Sequence, residues 1–556
     1  MTAADLIVTN ARVLTMDPRN PRAEAIAVNG NRISAVGSRA DIEPLRARHT
    51  RLIDGGGGTV TPGLIEGHLH LFMGAAELDN LNLSGVAGME SLTQSVRRYA
   101  ASKPGLKLLF ANQVSYTVLS DTQTPTRHDL DRVLPDRPFA MMTHDHHTAY
   151  ANTLALELAG VLNGAPVPKG SEIVMGPDGL ASGELIEPGA FRYILAHTPT
   201  AGRDALGFTD AADPSPAPST AERAIDRAIM LRGQKYCASH GITSAHNMDG
   251  NFYQLDLLED IDQAGDCHLR CQSPFHFKNT FAVARLADAA EMHRRFTSER
   301  VSSGRIKLFM DGVIESWTAL TLEEYPDKPG CFGAPNFSAA EFNAIAIEAD
   351  RLGLQISVHA IADGGVRRTL DGYAAARAAN GTRDSRHRIE HIETIHPADL
   401  PRLKDLGVVA SLQPTHAPGV VFPEQPGLSR IRPRDLPYAY AWETIRKAGA
   451  HIMFNSDWPV SPIDPMISFR GAMTRKVYRA GDPEQRQTLQ QALAGYTTGA
   501  AYGEHREGMK GMLRPGMLAD IAVWSADLEA TPAEELVGVT AIATVCDGRV
   551  THGGAS

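Results

Sequence analysis

The sequence lacks any uninterrupted apolar run of transmembrane length, so a membrane-spanning role is not expected. It opens MTAADLIVTNARVLTMDP, with no basic region leading into a long apolar stretch, and a secretory signal is not expected there. Cysteine is scarce: Cys237, Cys267, Cys271, Cys331 and Cys546 are an odd and scattered five in 556 residues. That excludes a compact disulfide framework, offers no zinc-finger spacing, and points to a reducing cytoplasm. No basic tract dominates, and the net charge is -10, so a nucleic-acid partner is not expected. The Gly55–Gly58 run has neither the Gly-x-Gly-x-x-Gly spacing nor a Walker lysine, which removes dinucleotide and P-loop chemistry.

What is present is ordinary globular material, 43% hydrophobic and 21% charged, in a chain longer than one packed unit usually is. Both ends read as short strands between turns. Leu6-Ile7-Val8, Ala25–Val28 before Asn29-Gly30, and Arg32–Val36 lie at the start; Leu518–Trp524 and Ala541–Val545 lie at the end. Residues 1–60 and 500–556 are therefore expected to build one small composite β domain, two separate β appendages being the alternative. Between them, short apolar runs alternate with amphipathic stretches. Ile306–Phe309, Leu354–Val358, Arg388-Ile389-Glu390, Val408–Leu412 and Ile452–Phe454 are strand candidates, with helices expected over 339–352 and 366–380. This is the order of a parallel α/β domain over residues 61–499. An open sheet and a closed barrel look alike at this level. Residues 75–220 fit the alternation less well and read as an insertion that helps to form a substrate pocket.

Chemistry-bearing residues fall at the ends of these runs. Glu66-Gly67-His68-Leu69-His70 follows an apolar stretch, and residues two apart on a strand face the same way, so two imidazoles could reach one ion. Lys307 sits inside an apolar run, where a lysine is costly unless paired or neutralised. His359, His391 and Asp457 each close a later strand candidate. Ligands gathered from the ends of several strands favour a (β/α)8 barrel, whereas an open sheet concentrates its site at a switch point.

At these segments the chain resembles the amidohydrolase superfamily, within it the YtcJ-like group that includes N-substituted formamide deformylases. The matching stretches are Thr61–His70, Lys307–Gly312, Val358–Asp363, Arg388–Glu393, Ser456–Val460 and Gly511–Asp520, so the likeness spans nearly the whole chain. It implies a TIM-like barrel with a small β-sandwich domain and an insertion near the barrel mouth. It implies that His68 and His70 hold the more buried metal, that Lys307 is carboxylated and bridges two ions, and that His359 and His391 serve the more exposed one. Asp457 would bind metal and move the proton. The stretch Thr143-His144-Asp145-His146-His147 resembles a pocket-facing segment of the insertion, with His146 where glycine is more usual. Glu66-Gly67 stands where Asp-Ser or Asp-Thr is commoner, which keeps a carboxylate and removes a hydroxyl.

The implied activity is hydrolysis: metal-activated hydroxide attacks a carbonyl carbon of a small molecule, with the C–N bond of an N-substituted formamide or other amide as the first expectation. Ester, lactone or carbamate cleavage and deamination remain open, as does a non-catalytic binding protein. Imidazole and carboxylate donors suit Zn²⁺ and leave Mn²⁺, Fe²⁺ and Co²⁺ open. An ammonium has no lone pair for a metal, whereas a carbamate on Lys307 would supply two anionic oxygens and allow two ions to bind. Asp145, His147, Glu184, His246, Trp317 and Trp458 are candidates to line the pocket, with ordinary packing as the competing reading. Glu66, Glu390 and Glu393 are candidates to orient the histidines. A homodimer is the default assembly.

Overall fold

The structure, a computed structural model, describes residues 3–120, 123–144, 146–168 and 170–554. It divides into two compact units: Met1–His70 with Gln234–Ser556, and Leu71–Gly233.

In the first unit, both chain ends feed the same sheet. Arg22–Ala23, Arg12–Leu14 and Thr59–Pro62 continue into Ile521–Trp524, Ala541–Cys546 and Arg549–Gly553 in a six-stranded sheet. Val60 pairs with Val523 across it. A four-stranded sheet of Arg32–Gly37, Ala25–Asn29, Leu6–Thr9 and Arg51–Asp54 lies on the same core. That core contains Val8, Ile26, Ile53 and Val60 from one end, and Ile521, Val523 and Val545 from the other.

The rest of this unit carries two parallel sheets. The strands are β1 (Leu64–Leu69), β2 (Ile242–Asn247), β3 (Arg270–Gln272), β4 (Phe275–His276), β5 (Val301–Ser302), β6 (Arg305–Phe309), β7 (Gln355–Ala360), β8 (Arg388–His391), β9 (Val409–Leu412) and β10 (His451–Phe454). One sheet runs β5-β3-β2-β1 and the other β4-β6-β7-β8-β9-β10. Every residue of β1, β2, β7, β8 and β9 is buried, as expected of parallel strands covered on both faces. Helices follow the strands: α1 (Phe252–Gln263), α2 (Leu286–Arg295), α3 (Ala339–Arg351) and α4 (Asp363–Asn380) among them. α3 starts at a capping box in which Ser338 and Glu341 satisfy each other's backbone N–H groups, and it buries Phe342, Ile345, Ala346 and Ala349 at helical spacing. α4 begins at Asp363, three residues ahead of the expected start.

The second unit contains a six-stranded mixed sheet, running from Glu172–Met175 through Ala181–Ile186, Thr148–Ala151, Phe139–Thr143 and Leu109–Val114 to Leu81–Asn82. Its two sides are covered by separate apolar clusters, one around Leu156, Leu185 and Phe191 and the other around Leu92, Leu130 and Phe139. Among the described residues no helix is long and apolar enough to cross a membrane.

Candidate metal centre

β1 delivers His68 and His70, and the turn after β10 delivers Asp457. Asp457 Oδ1 stands 3.2 Å from His68 Nε2 and 3.3 Å from His70 Nε2. Donors about 2.0–2.1 Å from a tetrahedral ion stand about 3.3 Å apart, so this spacing is that of a ligand set. All three side chains are buried, and all three donor atoms lie close enough together to hold one ion. The backbone holds the two segments in place: Asp457 N–H donates to His68 O at 2.9 Å, and His70 N–H to Trp458 O at 2.7 Å. Gly67, between the histidines, passes close to β10. A Cβ there would lie 2.2 Å from Met453 Cε, the flexible end of a side chain, and 3.3 Å from Phe454 O.

The far side of each ring is engaged as well. His68 Nδ1 contacts Glu390 Oε2 at 2.8 Å, His70 Nδ1 lies 3.4 Å from Asp249 Oδ1, and His391 Nδ1 contacts Gln413 Oε1 at 3.0 Å. With these oxygens as acceptors, Nδ1 carries the proton and Nε2 keeps the lone pair a cation needs. Glu390 is in turn gripped by Arg388, whose Nε lies 2.8 Å from its Oε1. Arg388 also donates to His246 Nδ1 at 2.9 Å and to Gly67 O at 2.7 Å.

Electrostatics follow from burial and these partners. Burial opposes the charge on Asp457, but His68 and His70 outweigh it and hold the carboxyl well below the usual range. Burial likewise opposes the charged form of His70, which Asp249 and Asp457 raise to about 9. Burial with Lys307 nearby pushes His359 down to about 3, and burial with His359 pushes His391 well below its ordinary value. Burial brings Lys307 down to about 8. Its Nζ has no hydrogen-bond partner among the described residues and sits 4.4 Å from the centre of the Phe309 ring. A buried amine without a hydrogen-bond partner among the described residues, and His359 and His391 held neutral near a carboxylate, fit a cationic centre.

A second group of donors shares Asp457: His391, His416 and Asp457. His359 belongs to neither group. Its Nε2 faces Gly312 O at 3.2 Å, and its ring centre is 4.5 Å from that of His391. Glu66 accepts from the backbone N–H of Ser456 at 2.9 Å and of His68 at 3.3 Å, tying β1 to the segment that bears Asp457. Burial raises its carboxyl to about 8. Glu393 Oε1 lies 3.8 Å from His416 Nδ1.

The other pocket candidates are dispersed. His246 is fully buried between Arg388 and Glu504, with Nε2 3.4 Å from Glu504 Oε2. Trp317 stacks under Arg430 at 3.5 Å and donates to Asp327 at 3.0 Å. Trp458 is buried against Tyr236, with ring centres 5.6 Å apart. His147 and Glu184 belong to the second unit. His147 Nδ1 contacts Glu187 Oε1 at 3.0 Å, and Glu184 lies on the strand paired with Thr148–Ala151. Asp145 lies outside the described residues. His146 has φ 62°, a left-handed position where glycine is the easy residue, and its Nε2 contacts Glu77 Oε1 at 2.6 Å.

Sequence reasoning misses Asp249, Gln413 and His416. Each follows a strand end, Asp249 after β2 and the other two after β9. The rule that barrel ligands gather at strand ends applies to β9 as well and would have pointed there.

Comparison with known proteins agrees with this chemistry. The model of the amidohydrolase family matches residues 51–552. The Arabidopsis thaliana protein LONG AFTER FAR-RED 3 is 30% identical over 94% of this chain and 87% of its own length. The N-substituted formamide deformylase of Arthrobacter pascens is 26% identical over 98% and 97%. A metal-dependent hydrolase of Pyrococcus horikoshii, of uncharacterized activity, superposes with a TM-score of 0.74 at 21% identity, covering 95% of this chain and 99% of its own. Family match, full-length relatives and fold converge: the chain belongs to the amidohydrolase family.

Proposed function

We propose that the chain is a metal-dependent hydrolase that cleaves the C–N bond of a small amide, with N-substituted formamides the first class to try. The observation that carries this is the Asp457 carboxylate, 3.2 and 3.3 Å from two imidazole nitrogens whose opposite faces are held by acids. The formamide class is supported by the Arthrobacter relative, which matches over nearly its full length.

His68, His70 and Asp457 are the proposed ligands of a divalent cation, Zn²⁺ being the expected ion. Lys307, His359 and His391 extend the set to a second ion if the Lys307 amine carries a carbamate. When bound, such a cation supplies Lewis acidity that lowers the pKa of a water toward about 7 and polarises a carbonyl. The remaining work falls to the chain. Asp457 takes a proton from the attacking water and returns it to the departing nitrogen, so that an acid and a free amine leave. Glu390, Asp249 and Gln413 keep the rings turned with Nε2 inward. Glu66 braces the backbone under His68 and Asp457.

We also propose a closed barrel. β3 and β4 read as one interrupted strand, as do β5 and β6, which leaves eight strands. The bridge between Leu69 and Trp458 supports closure of β1 onto the end of β10. Residues 61–499 would form this barrel domain, with the insertion at about 75–220, and residues 1–60 with 500–556 a β-sandwich.

The test is a panel of N-substituted formamides, other amides, esters, lactones, carbamates and ring amines, with products identified. Amine release from a formamide is expected. Removing the metal should abolish turnover, and Asp457→Asn should lower kcat by about 10²–10⁴-fold with the fold retained. Full activity in a demonstrably metal-free sample would sink the proposal, and turnover confined to esters or ring amines would reassign the bond.

A further inference from the structure

His416 is the least expected side chain near the centre. It ends the short 3-10 turn Pro414–His416 that follows β9. Its side chain is 8% exposed, and its Nε2 has no hydrogen-bond partner among the described residues. That nitrogen points at Asp457 Oδ2 from 3.8 Å, too far for a hydrogen bond. The ring lies parallel to that of His391, with centres 5.8 Å apart and an interplanar angle of 12°. A buried imidazole nitrogen left unmet costs about 1–3 kcal/mol, so the arrangement calls for a partner between His416 and Asp457.

A cation supplies that partner. Tetrahedral legs of about 2.0–2.1 Å set donors about 3.3 Å apart, so the 3.8 Å gap would close by about half an ångström on capture of an ion. Asp457 offers the two groups different oxygens: Oδ1 faces His68 and His70, and Oδ2 faces His416. Gln413, three residues before His416, holds His391 Nδ1 and leaves its Nε2 for an ion. The segment after β9 thus supplies both the support for one histidine and the second histidine itself.

We infer that His416 is a ligand of a second divalent cation, held together with His391 and Asp457. The inference rests on the proposed metal-dependent reading and goes beyond it. It assigns the second ion to His391 at the end of β8 and His416 after β9, in place of the Lys307, His359 and His391 set, and Asp457 becomes the carboxylate common to both ions.

The test is metal binding without reference to turnover. Stripped full-length protein is dialysed against buffered Zn²⁺ and its metal content measured, with melting temperatures of the metal-free proteins as the control for folding. Wild type is expected to hold two equivalents. His416→Leu and His416→Gln are expected to hold one, with affinity for the second at least 100-fold weaker. His416→Asp, which puts a carboxylate donor in place of the imidazole, is expected to hold two. Two equivalents in His416→Leu would overturn the inference. So would a loss that His416→Asp fails to reverse, which would assign a structural role. A wild type holding one ion leaves the metal-dependent reading standing and removes the second site, and a wild type holding none removes both.

Discussion

Glu390 keeps its charge with no exposed surface at all. Burial works against that charge, and Arg388 and His68 outweigh it, so its carboxyl lies well below the usual range. The same carboxylate fixes the His68 ring through Nδ1. Glu390→Gln keeps an acceptor for that proton but removes the charge facing Arg388; Glu390→Leu removes both. Affinity for Zn²⁺ is expected to fall about 10-fold in the first and about 100-fold in the second, measured by competition with a chromogenic chelator. Wild-type affinity in Glu390→Leu would show that Glu390 does not support the centre. At this scale the convergence of candidate donors was legible in the sequence where they keep strand spacing. His68 near the end of β1 and His70 just past it keep a two-residue spacing, and Asp457 closes an apolar run. His416 lies four residues beyond β9 on a turn with no periodicity, and Asp249 lies two beyond β2, so only folding shows that they converge. Backbone geometry was equally hidden: His391 and Asp457 both adopt positive φ, at 80° and 62°. Such positions cost of order 1–3 kcal/mol and persist where the surroundings enforce them.

Helices α3 and α4 of the first unit pack closely, and a glycine at their contact lets them do so. Gly372 of α4 lies under the Phe342 ring of α3, and a Cβ there would fall 2.3 Å from Phe342 Cε1. Phe342 is fully buried, so the ring has little room to yield. Gly372→Ala should destabilise the protein by about 1–3 kcal/mol despite the better helix propensity of alanine. Denaturant unfolding measures it, and an unchanged or higher midpoint would show that the helices separate freely. The parallel strands and these helices were readable because burial on both faces leaves continuous apolar runs, and a 3.6-residue period marks the amphipathic helices. The sheet of the second unit was not. Its strands are short, and segments such as Phe139–Thr143 (FAMMT) and Thr148–Ala151 (TAYA) are rich in alanine and methionine, which do not distinguish strand from helix.

Across the first unit, a cluster of charges ties the terminal strands to β3. Arg270 is 3% exposed and contacts Asp520 at 2.9 Å and Asp547 at 2.7 Å; Arg300 approaches Asp547 from the other side at 3.0 Å. Burial opposes charge on Asp547, yet Arg300 and Arg270 hold its carboxyl down at about 2, against about 3.9 for a free aspartate. The folded state therefore binds fewer protons than the unfolded one between these values. The stabilisation is complete above about pH 4 and is lost as pH falls through about 2. In metal-free protein, the gap in melting temperature between wild type and Asp547→Asn should narrow as pH is lowered from 5 toward 2. A constant gap would refute this linkage.

The shared terminal sheet also sets a clock. Thr61 and Trp524, joined by a hydrogen bond of 3.0 Å, are 463 residues apart in the chain. At about 5–20 residues per second, Thr59–Pro62 waits roughly 20–90 s on the ribosome before its partner strand exists. Throughout that interval the strand leading directly into His68 and His70 has one edge unpaired, and Asp457 joins the chain only 67 residues before Trp524. The proposed metal site can thus assemble only late in the life of each new chain, shortly before the edge most prone to pairing with a neighbouring nascent chain is covered.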